Sequence, residues 1–278
     1  MTNYKLNKAW LQAMEIDDIF FEKKHDTDPS KNPPKISKDH GYNDITYFKA
    51  EAKKENFSNI SLDLTVSNTR VLHKNSSRII ADNVSTLEEL RQNVYKFDGC
   101  ELKKGAKNTV FADGISTAEI MLIGEAPGAT EDEQGIPFCG ESGKLLDNMI
   151  STIGLFRQKN AYITNTIFWR PPGNRAPTWD EIDICKPFVE KHIALIKPKL
   201  LILVGGTAVS SLLGKEMQIS KIRKENFLYK NQYLADSVIT TAIFHPAYLL
   251  RQPSQKKTSW YDLLKIRALI DDRKIRLS

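Results

Sequence analysis

The sequence contains no run of about 18 apolar residues, the length that a membrane-spanning helix needs. Its first segment, MTNYKLNKAWLQAME, also lacks the apolar core and the small-residue cleavage site of a secretory signal. The three cysteines, Cys100, Cys139 and Cys185, cannot form a disulfide framework. These absences predict a soluble protein of the reducing cytoplasm. The residues that are present, 41% hydrophobic and 27% charged among 278, suffice for a large core.

Residues 1–83 differ in composition from the rest of the chain. Apolar side chains between Trp10 and Phe20 predict one short amphipathic helix. Residues 22–44 are polar and interrupted by prolines, which is the composition of a flexible linker. We therefore predict an N-terminal extension over 1–83 and one globular catalytic domain over 84–278.

From residue 84 onwards, four short apolar runs rich in β-branched residues alternate with helical patterns. The predicted strands lie within 119–124, 161–168, 199–206 and 237–244. Capping boxes predict helices that begin near Ser85 and at Thr178. This alternation implies right-handed crossovers, so we expect an α/β three-layer sandwich with a central, mostly parallel four-stranded sheet. Ligands of such sheets bind beyond the carboxyl ends of the strands.

The first predicted strand runs into a glycine-rich loop, Gly124 to Gly128, which is followed by the carboxylates of Glu131 and Asp132. Two glycines and a proline form a tight loop that can expose backbone N–H groups. Phe138 follows among glycines, before a predicted helix, and an aromatic ring held there suits stacking on a flat ligand. The alternative is an ordinary connection in which this ring is a hydrophobic plug.

Polar residues also follow the second and fourth predicted strands. Asn165 can present an amide donor and acceptor to a nucleobase edge, or it is a turn residue. Arg170 and Arg175 lie in a Pro/Gly loop, where they suit phosphate contacts or are surface charges. His245 ends the fourth strand and precedes the apolar tip Tyr248–Leu250, an arrangement typical of base unstacking, although a His-Pro pair is more often a turn.

The formal net charge is +6. Eight basic and three acidic residues lie between His245 and Ser278, so nearly the whole excess is C-terminal. This distribution indicates a region that faces phosphates, or alternatively a solvated basic helix.

Three segments, GEAPGATEDEQGIPF (124–138), YITN to RPPGNRAP (162–177) and HPAYLLR (245–251), resemble in this order the uracil-DNA glycosylase superfamily, most closely its family 4 enzymes. The likeness covers about two-thirds of the chain, from Val84 to Asp262. It implies a uracil-DNA glycosylase-like α/β fold. It also implies a DNA repair enzyme that flips uracil out of DNA and hydrolyses its N-glycosidic bond, leaving an abasic site.

The resemblance assigns roles to the residues at the strand ends. The pocket residues would be Gly124, Ala126, Phe138 and Asn165, with Phe138 stacked on uracil and Asn165 reading its edge. The catalytic residues would be Glu131, His245, Glu125 and Asn174. His245 would donate to uracil O2, while Glu131, or second Glu125, would orient water, with Asn174 a weaker choice. The DNA contacts would be Arg175, Tyr248, Leu249, Leu250, Arg251, Lys256 and Lys257.

The family carries a four-cysteine iron–sulfur cluster, and here the sequence departs from it. Phe97 and Trp169 stand at two of the four cysteine positions, leaving Cys100 and Cys185. Two thiolates cannot complete a Cys₄ set, so we expect the cluster to be lost, with no metal or other cofactor. The two aromatic residues are predicted to pack with the two cysteines in a hydrophobic plug.

Two other functions compete with the enzyme. A DNA-binding module of the same fold would hold uracil-containing or abasic DNA with little turnover, but it would not need the acidic, aromatic, amide and imidazole groups together. A nucleotide hydrolase is disfavoured because the Gly124–Gly128 loop lacks the lysine and hydroxyl of a phosphate loop. We expect a monomer whose partner is uracil-containing DNA, with no membrane association.

Overall fold

The structure, a computed structural model, describes residues 75–277. Its strands are β1 Asp113–Gly114, β2 Ile120–Gly124, β3 Tyr162–Asn165, β4 Leu200–Val204, β5 Phe227–Tyr229 and β6 Val238–Ile243. Its α-helices are α1 over 75–83, α2 Leu87–Lys96, α3 Leu102–Gly105, α4 Ala129–Gln134, α5 Glu141–Ser151, α6 Trp179–Ile196, α7 Gly206–Leu213, α8 Ile219–Ile222, α9 Pro246–Arg251 and α10 Lys256–Asp272. Within this range, no helix is both long enough and apolar enough to cross a membrane.

The strands form one six-stranded sheet in the order β1-β3-β2-β4-β6-β5. The four central strands are parallel and lie within the four predicted ranges, which confirms the mostly parallel sheet. The predicted number of strands was wrong, because β1 and β5 add an antiparallel edge on each side. These strands have two and three residues, too few to show an alternating pattern in the sequence.

The two faces of the sheet bury separate hydrophobic cores. Along β2, Met121 and Ile123 enter the core that contains α2 and α6 residues. Ile120 and Leu122 enter the other core, with α5 and α10 residues. This alternation follows from the two-residue period of a strand, and it confirms the three-layer arrangement.

Both predicted capping boxes are present, but one of them begins one residue later than predicted. Thr178 caps α6, and Glu181 completes the capping box as predicted. In α2 the capping residue is Thr86 rather than Ser85, because Glu89, not Glu88, returns its carboxylate to the cap. Glu89 Oε2 accepts the N–H groups of both Ser85 and Thr86, so the helix starts one residue later than predicted.

Helix α1 precedes the predicted domain start at residue 84 and packs on the domain. Its Ser77 and Ala81 are fully buried. Arg78 forms an ion pair with Glu190 of α6 at 2.7 Å and donates to the Tyr233 hydroxyl at 3.1 Å. The packed structure therefore includes residues before 84. The helix expected near Trp10 and the linker over 22–44 lie outside the described residues, and the division into extension and domain stays a prediction.

Candidate active site

A cleft of about 400 Å³ opens at the carboxyl ends of the central strands. Nine predicted site residues line it: Glu125, Ala126, Glu131, Phe138, Asn165, Asn174, Arg175, His245 and Arg251. Pro127 and Gly128 of the predicted glycine-rich loop also line it, and so do three residues that no sequence pattern marked: Ser142, Pro171 and Ala247. The loops after β2, β3 and β6 thus converge where the parallel sheet predicts a ligand.

The Phe138 ring lies directly over Gly124, the last residue of β2. A Cβ atom at Gly124 would come within 2.3 Å of the ring and 2.5 Å of Asn165 Oδ1, so only glycine admits both side chains. Phe138 also adopts a positive φ of 52°, which costs a non-glycine residue about 1–2 kcal/mol. The ring is held in place despite this cost, which indicates that the surrounding contacts fix the loop.

Glu131 binds three backbone N–H groups of this loop region. Its Oε1 accepts from Cys139 at 3.0 Å and from Gly140 at 2.9 Å, while its Oε2 accepts from Gly128 at 3.1 Å. The carboxylate therefore ties the start of α4 to the residues just after Phe138. Glu125 instead receives a hydroxyl hydrogen bond from Thr207 at 2.5 Å. Both carboxylates line the cleft, but Glu131 is bound by backbone N–H groups, whereas Glu125 is bound by a side-chain hydroxyl.

His245 is oriented by the backbone of α9. Its Nδ1 accepts the Ala247 N–H at 3.2 Å, so in the neutral ring the proton lies on Nε2. Burial and, to a smaller extent, the Arg251 charge lower the pKa of His245 to about 4, although the Glu131 charge opposes the change. The imidazole is therefore neutral near pH 7. Its centroid lies 5.7 Å from that of Phe138.

Asn165 carries an unsatisfied polar atom in this cleft. The residue is 1% exposed, and its Oδ1 has no hydrogen-bond partner among the described residues. A buried acceptor without a partner costs about 1–3 kcal/mol. Such an atom in a cleft indicates a site that a ligand donor completes.

The cleft rim on the side of β3 is ordered by ion pairs and hydrogen bonds. The Arg175 guanidinium binds Glu181 through two contacts of 2.9 and 2.6 Å. Arg170 Nε donates to Asn174 Oδ1 at 2.7 Å. Asn174 thus lines the cleft, but its side-chain oxygen Oδ1 already accepts a hydrogen bond from Arg170.

Two of the residues predicted to contact DNA are buried, so these two predictions are wrong. Leu249 is fully buried in the core with the α5 and α10 side chains, because it lies on the inner face of α9. Lys256 is 4% exposed and belongs to the buried side of α10. Leu250 is 39% exposed and is the apolar residue of this tip that reaches solvent. Tyr248 is half-buried and Lys257 is exposed.

The C-terminal charges are also not all near the cleft. Arg276 binds Glu119, the residue before β2, through its backbone N–H at 2.9 Å and its Nε at 3.0 Å. Glu119 lies at the amino end of the strands, whereas the cleft lies at their carboxyl end. Arg276 therefore neutralises an acid at the opposite end of the sheet, and the expectation that the whole basic segment faces phosphates is wrong for it.

The residues at the family's cluster positions do not fit an iron–sulfur cluster. Phe97 and Trp169 stack with centroids 6.4 Å apart, and both belong to the same buried core as Cys100 and Cys185. Trp169 is fully buried and donates from Nε1 to Thr109 Oγ1 at 2.9 Å. Burial and the neighbouring Cys100 thiol raise the pKa of the Cys185 thiol. The predicted hydrophobic plug of two aromatic residues and two cysteines is thus present.

Sequence comparison with known proteins finds matches in an enzyme superfamily. The sequence model of the uracil DNA glycosylase superfamily matches residues 111–265. The chain is 35% identical over 190 residues to the type-4 uracil-DNA glycosylase of Sulfurisphaera tokodaii, covering 67% of this chain and 86% of that one. The type-4 uracil-DNA glycosylase of Saccharolobus solfataricus is 35% identical over 196 residues, covering 70% and 91%. That of Archaeoglobus fulgidus is 33% identical over 185 residues, covering 66% and 92%.

Because the superfamily match covers more than half of the chain and these relatives match over most of their own length, this chain belongs to the uracil-DNA glycosylase superfamily.

Proposed function

We propose that this protein hydrolyses the N-glycosidic bond of uracil in DNA and leaves an abasic site, as a monofunctional enzyme of base excision repair. The observation that carries the proposal is the buried Asn165 Oδ1, which has no hydrogen-bond partner within residues 75–277 and shares one cleft with the Phe138 ring and the neutral His245. The curated relatives that match the chain are named type-4 uracil-DNA glycosylases, which agrees with this chemistry.

In this proposal the pocket recognises uracil by its flat face and by its edge. The Phe138 ring stacks on the flipped base. Asn165 meets the edge that carries N3–H and O4, accepting from N3–H through Oδ1 and donating to O4 through its amide nitrogen. An acceptor that is already desolvated gains a full hydrogen bond from uracil, whereas cytosine presents no N3–H to it.

His245 stabilises the leaving base. When the glycosidic bond breaks, negative charge develops on uracil and is shared by O2. Because Ala247 N–H occupies Nδ1, the Nε2–H group is the donor available to this oxygen. A preorganised neutral donor of this kind contributes about 2.7–4 kcal/mol to the transition state.

Glu125 is the carboxylate that we assign to the sugar side of the reaction. The Thr207 hydroxyl fixes its orientation from the first turn of α7. A carboxylate there stabilises the positive charge that develops on the sugar and accepts a hydrogen bond from the attacking water. Glu131 holds the loop that carries Phe138.

The DNA strand is held at the cleft rim. Arg251 and Arg175 line the cleft and suit phosphate contacts, with Lys257 exposed on the first turn of α10. Leu250, beside the half-buried Tyr248, is the residue that enters the space left by the flipped base. We further propose that the protein acts as a monomer.

We also propose that the protein works without an iron–sulfur cluster. By the resemblance, two of the family's cluster cysteines would flank the segment that here runs from Trp169 to Ala176. The Trp169 indole, stacked on Phe97 and hydrogen-bonded to Thr109, holds the start of this segment instead.

The proposal is tested by base release from an oligonucleotide with one uracil, under single-turnover conditions. Phe138→Ala should lower the rate by about 100-fold, because the base is no longer held in a reactive position. Phe156→Ala is the matched control, since Phe156 is 39% exposed and lies outside the cleft. Unchanged turnover in Phe138→Ala would remove this site assignment. Tight binding of abasic DNA without any base release would instead indicate a DNA-binding module.

A further inference from the structure

Arg157 is a buried cation that contacts the backbone beside the cleft. It follows α5, is 6% exposed, and does not line the cleft itself. Its Nη1 donates to the Pro137 carbonyl at 3.0 Å, and its Nη2 donates to the Phe138 carbonyl at 2.7 Å. The same guanidinium binds Asp147 through Nε at 2.9 Å and Asp113 through Nη1 at 2.9 Å.

We propose that Arg157 is a positioning residue for base excision, which holds the backbone of Phe138 so that the ring remains flat against the uracil site. This inference rests on the proposed stacking role of Phe138. It assigns Arg157 no contact with the substrate.

The loop is held from both sides by charges of opposite sign. Arg157 binds the carbonyls of residues 137 and 138, and Glu131 binds the N–H groups of residues 139 and 140. The positive guanidinium therefore binds the carbonyl ends of these peptide groups, and the negative carboxylate binds their N–H ends. Charge-assisted hydrogen bonds of this kind are roughly twice as strong as neutral ones, so together they can offset the cost of the positive φ.

A glycine in α5 leaves room for the Phe138 carbonyl that Arg157 binds. A Cβ atom at Gly143, in the first turn of α5, would come within 1.9 Å of the Phe138 carbonyl oxygen. Glycine at this position lets the carbonyl approach the helix and still point at the guanidinium. Asp113 and Asp147 balance the buried charge of Arg157, since an uncompensated buried cation would be strongly destabilising.

Lysine cannot replace arginine in this arrangement. A guanidinium has five N–H donors in a fixed plane, and here its three nitrogens donate to four acceptors. An ammonium group is a point charge with three donors, so Arg157→Lys keeps the charge but loses the simultaneous hold on both carbonyls.

The test is a double-mutant cycle on the single-turnover rate of uracil release, with Arg157→Lys and Phe138→Ala alone and combined. Arg157→Lys should lower the rate about 10- to 100-fold, while the Kd for abasic DNA changes less than about threefold. In the Phe138→Ala background the same substitution should cost less than about threefold, because the ring on which it acts is gone.

Arg223→Lys is the matched control for general destabilisation. Arg223 is also buried, at 8% exposure, and pairs with Asp262 at 2.5 Å, far from the loop in sequence and outside the cleft. At a temperature well below the Tm of every variant, Arg223→Lys should keep the wild-type rate within about twofold. If Arg157→Lys does not fold, Asp147→Asn replaces it, because it removes one of the acceptors that orient the guanidinium.

The outcomes separate this inference from the proposed function. Equal fold-losses for Arg157→Lys with and without the Phe138 ring would overturn the positioning role, as would a rate for Arg157→Lys no lower than that of Arg223→Lys. If Phe138→Ala alone has no effect on the rate, the proposed site itself fails, whatever Arg157→Lys does.

Discussion

His245 combines two tasks that substitution can separate. Its Nδ1 caps α9 by accepting the Ala247 N–H, and its Nε2–H is the donor that we assign to uracil O2. His245→Ala removes both tasks. His245→Asn keeps a side-chain acceptor suited to an N-cap but has no group that reaches the Nε2 position. The pair of variants therefore distinguishes helix capping from stabilisation of the leaving base.

The expected magnitudes differ for the two tasks. Loss of one preorganised donor costs about 2.7–4 kcal/mol of the activation barrier, so both variants should release uracil about 10²- to 10³-fold more slowly. Loss of the cap costs about 1 kcal/mol of folding free energy, and only His245→Ala should show it. The assays are single-turnover base release and urea unfolding. A wild-type rate in His245→Asn would refute the assignment of Nε2–H as the catalytic donor.

The pH profile tests the protonation state of the same residue. Burial lowers the pKa of His245 to about 4, so the ring is neutral, with Nδ1 free to accept, at every pH well above that value. The wild-type rate should therefore not change between about pH 5.5 and pH 8 through this group. A transition centred near pH 6.5, absent in His245→Asn, would show that the imidazole charges in the working range and would contradict the account.

Three further predictions follow from buried contacts. Gly124→Ala should lower base release by about 100-fold, because its Cβ would lie 2.3 Å from the Phe138 ring, and single-turnover assays measure the loss. Trp169→Ala should lower the free energy of unfolding by about 3–5 kcal/mol in urea titrations, since the fully buried indole leaves a cavity, whereas a loss below 1 kcal/mol would contradict its role in the plug. Burial lowers the pKa of His192 to about 3, so between pH 6.5 and that value the unfolded chain binds the additional proton. Stability should therefore fall with falling pH by up to about 1.4 kcal/mol per unit, and the slope should decrease in His192→Gln.

The parts of the fold that depend on local pattern could be predicted from the sequence. The central parallel strands are buried on both faces, so they are continuous apolar runs, and their alternation with capped helices predicts the sandwich. The cleft could be located because strand ends of a parallel sheet meet at one edge, which brings Gly124, Asn165 and His245 together.

Contacts between distant segments could not be predicted in the same way. Arg276 is one of several C-terminal basic residues, and only the path of the chain after α10 brings it to Glu119. Leu249 follows Tyr248 in an apolar tip, but the rotation of α9 decides which of its residues enter the core. Arg157 is an isolated arginine after a glycine turn, and no local pattern marks it as a partner of the Phe138 carbonyl.

The most direct test of the central claim is the uracil-release rate of the purified protein on a single-uracil oligonucleotide, with iron measured on the same sample. We expect base release and alkali-labile abasic sites from protein with less than about 0.1 iron per chain, since two cysteines cannot complete a cluster site. Activity that rises in proportion to bound iron, or no release of uracil from well-folded protein, would contradict it.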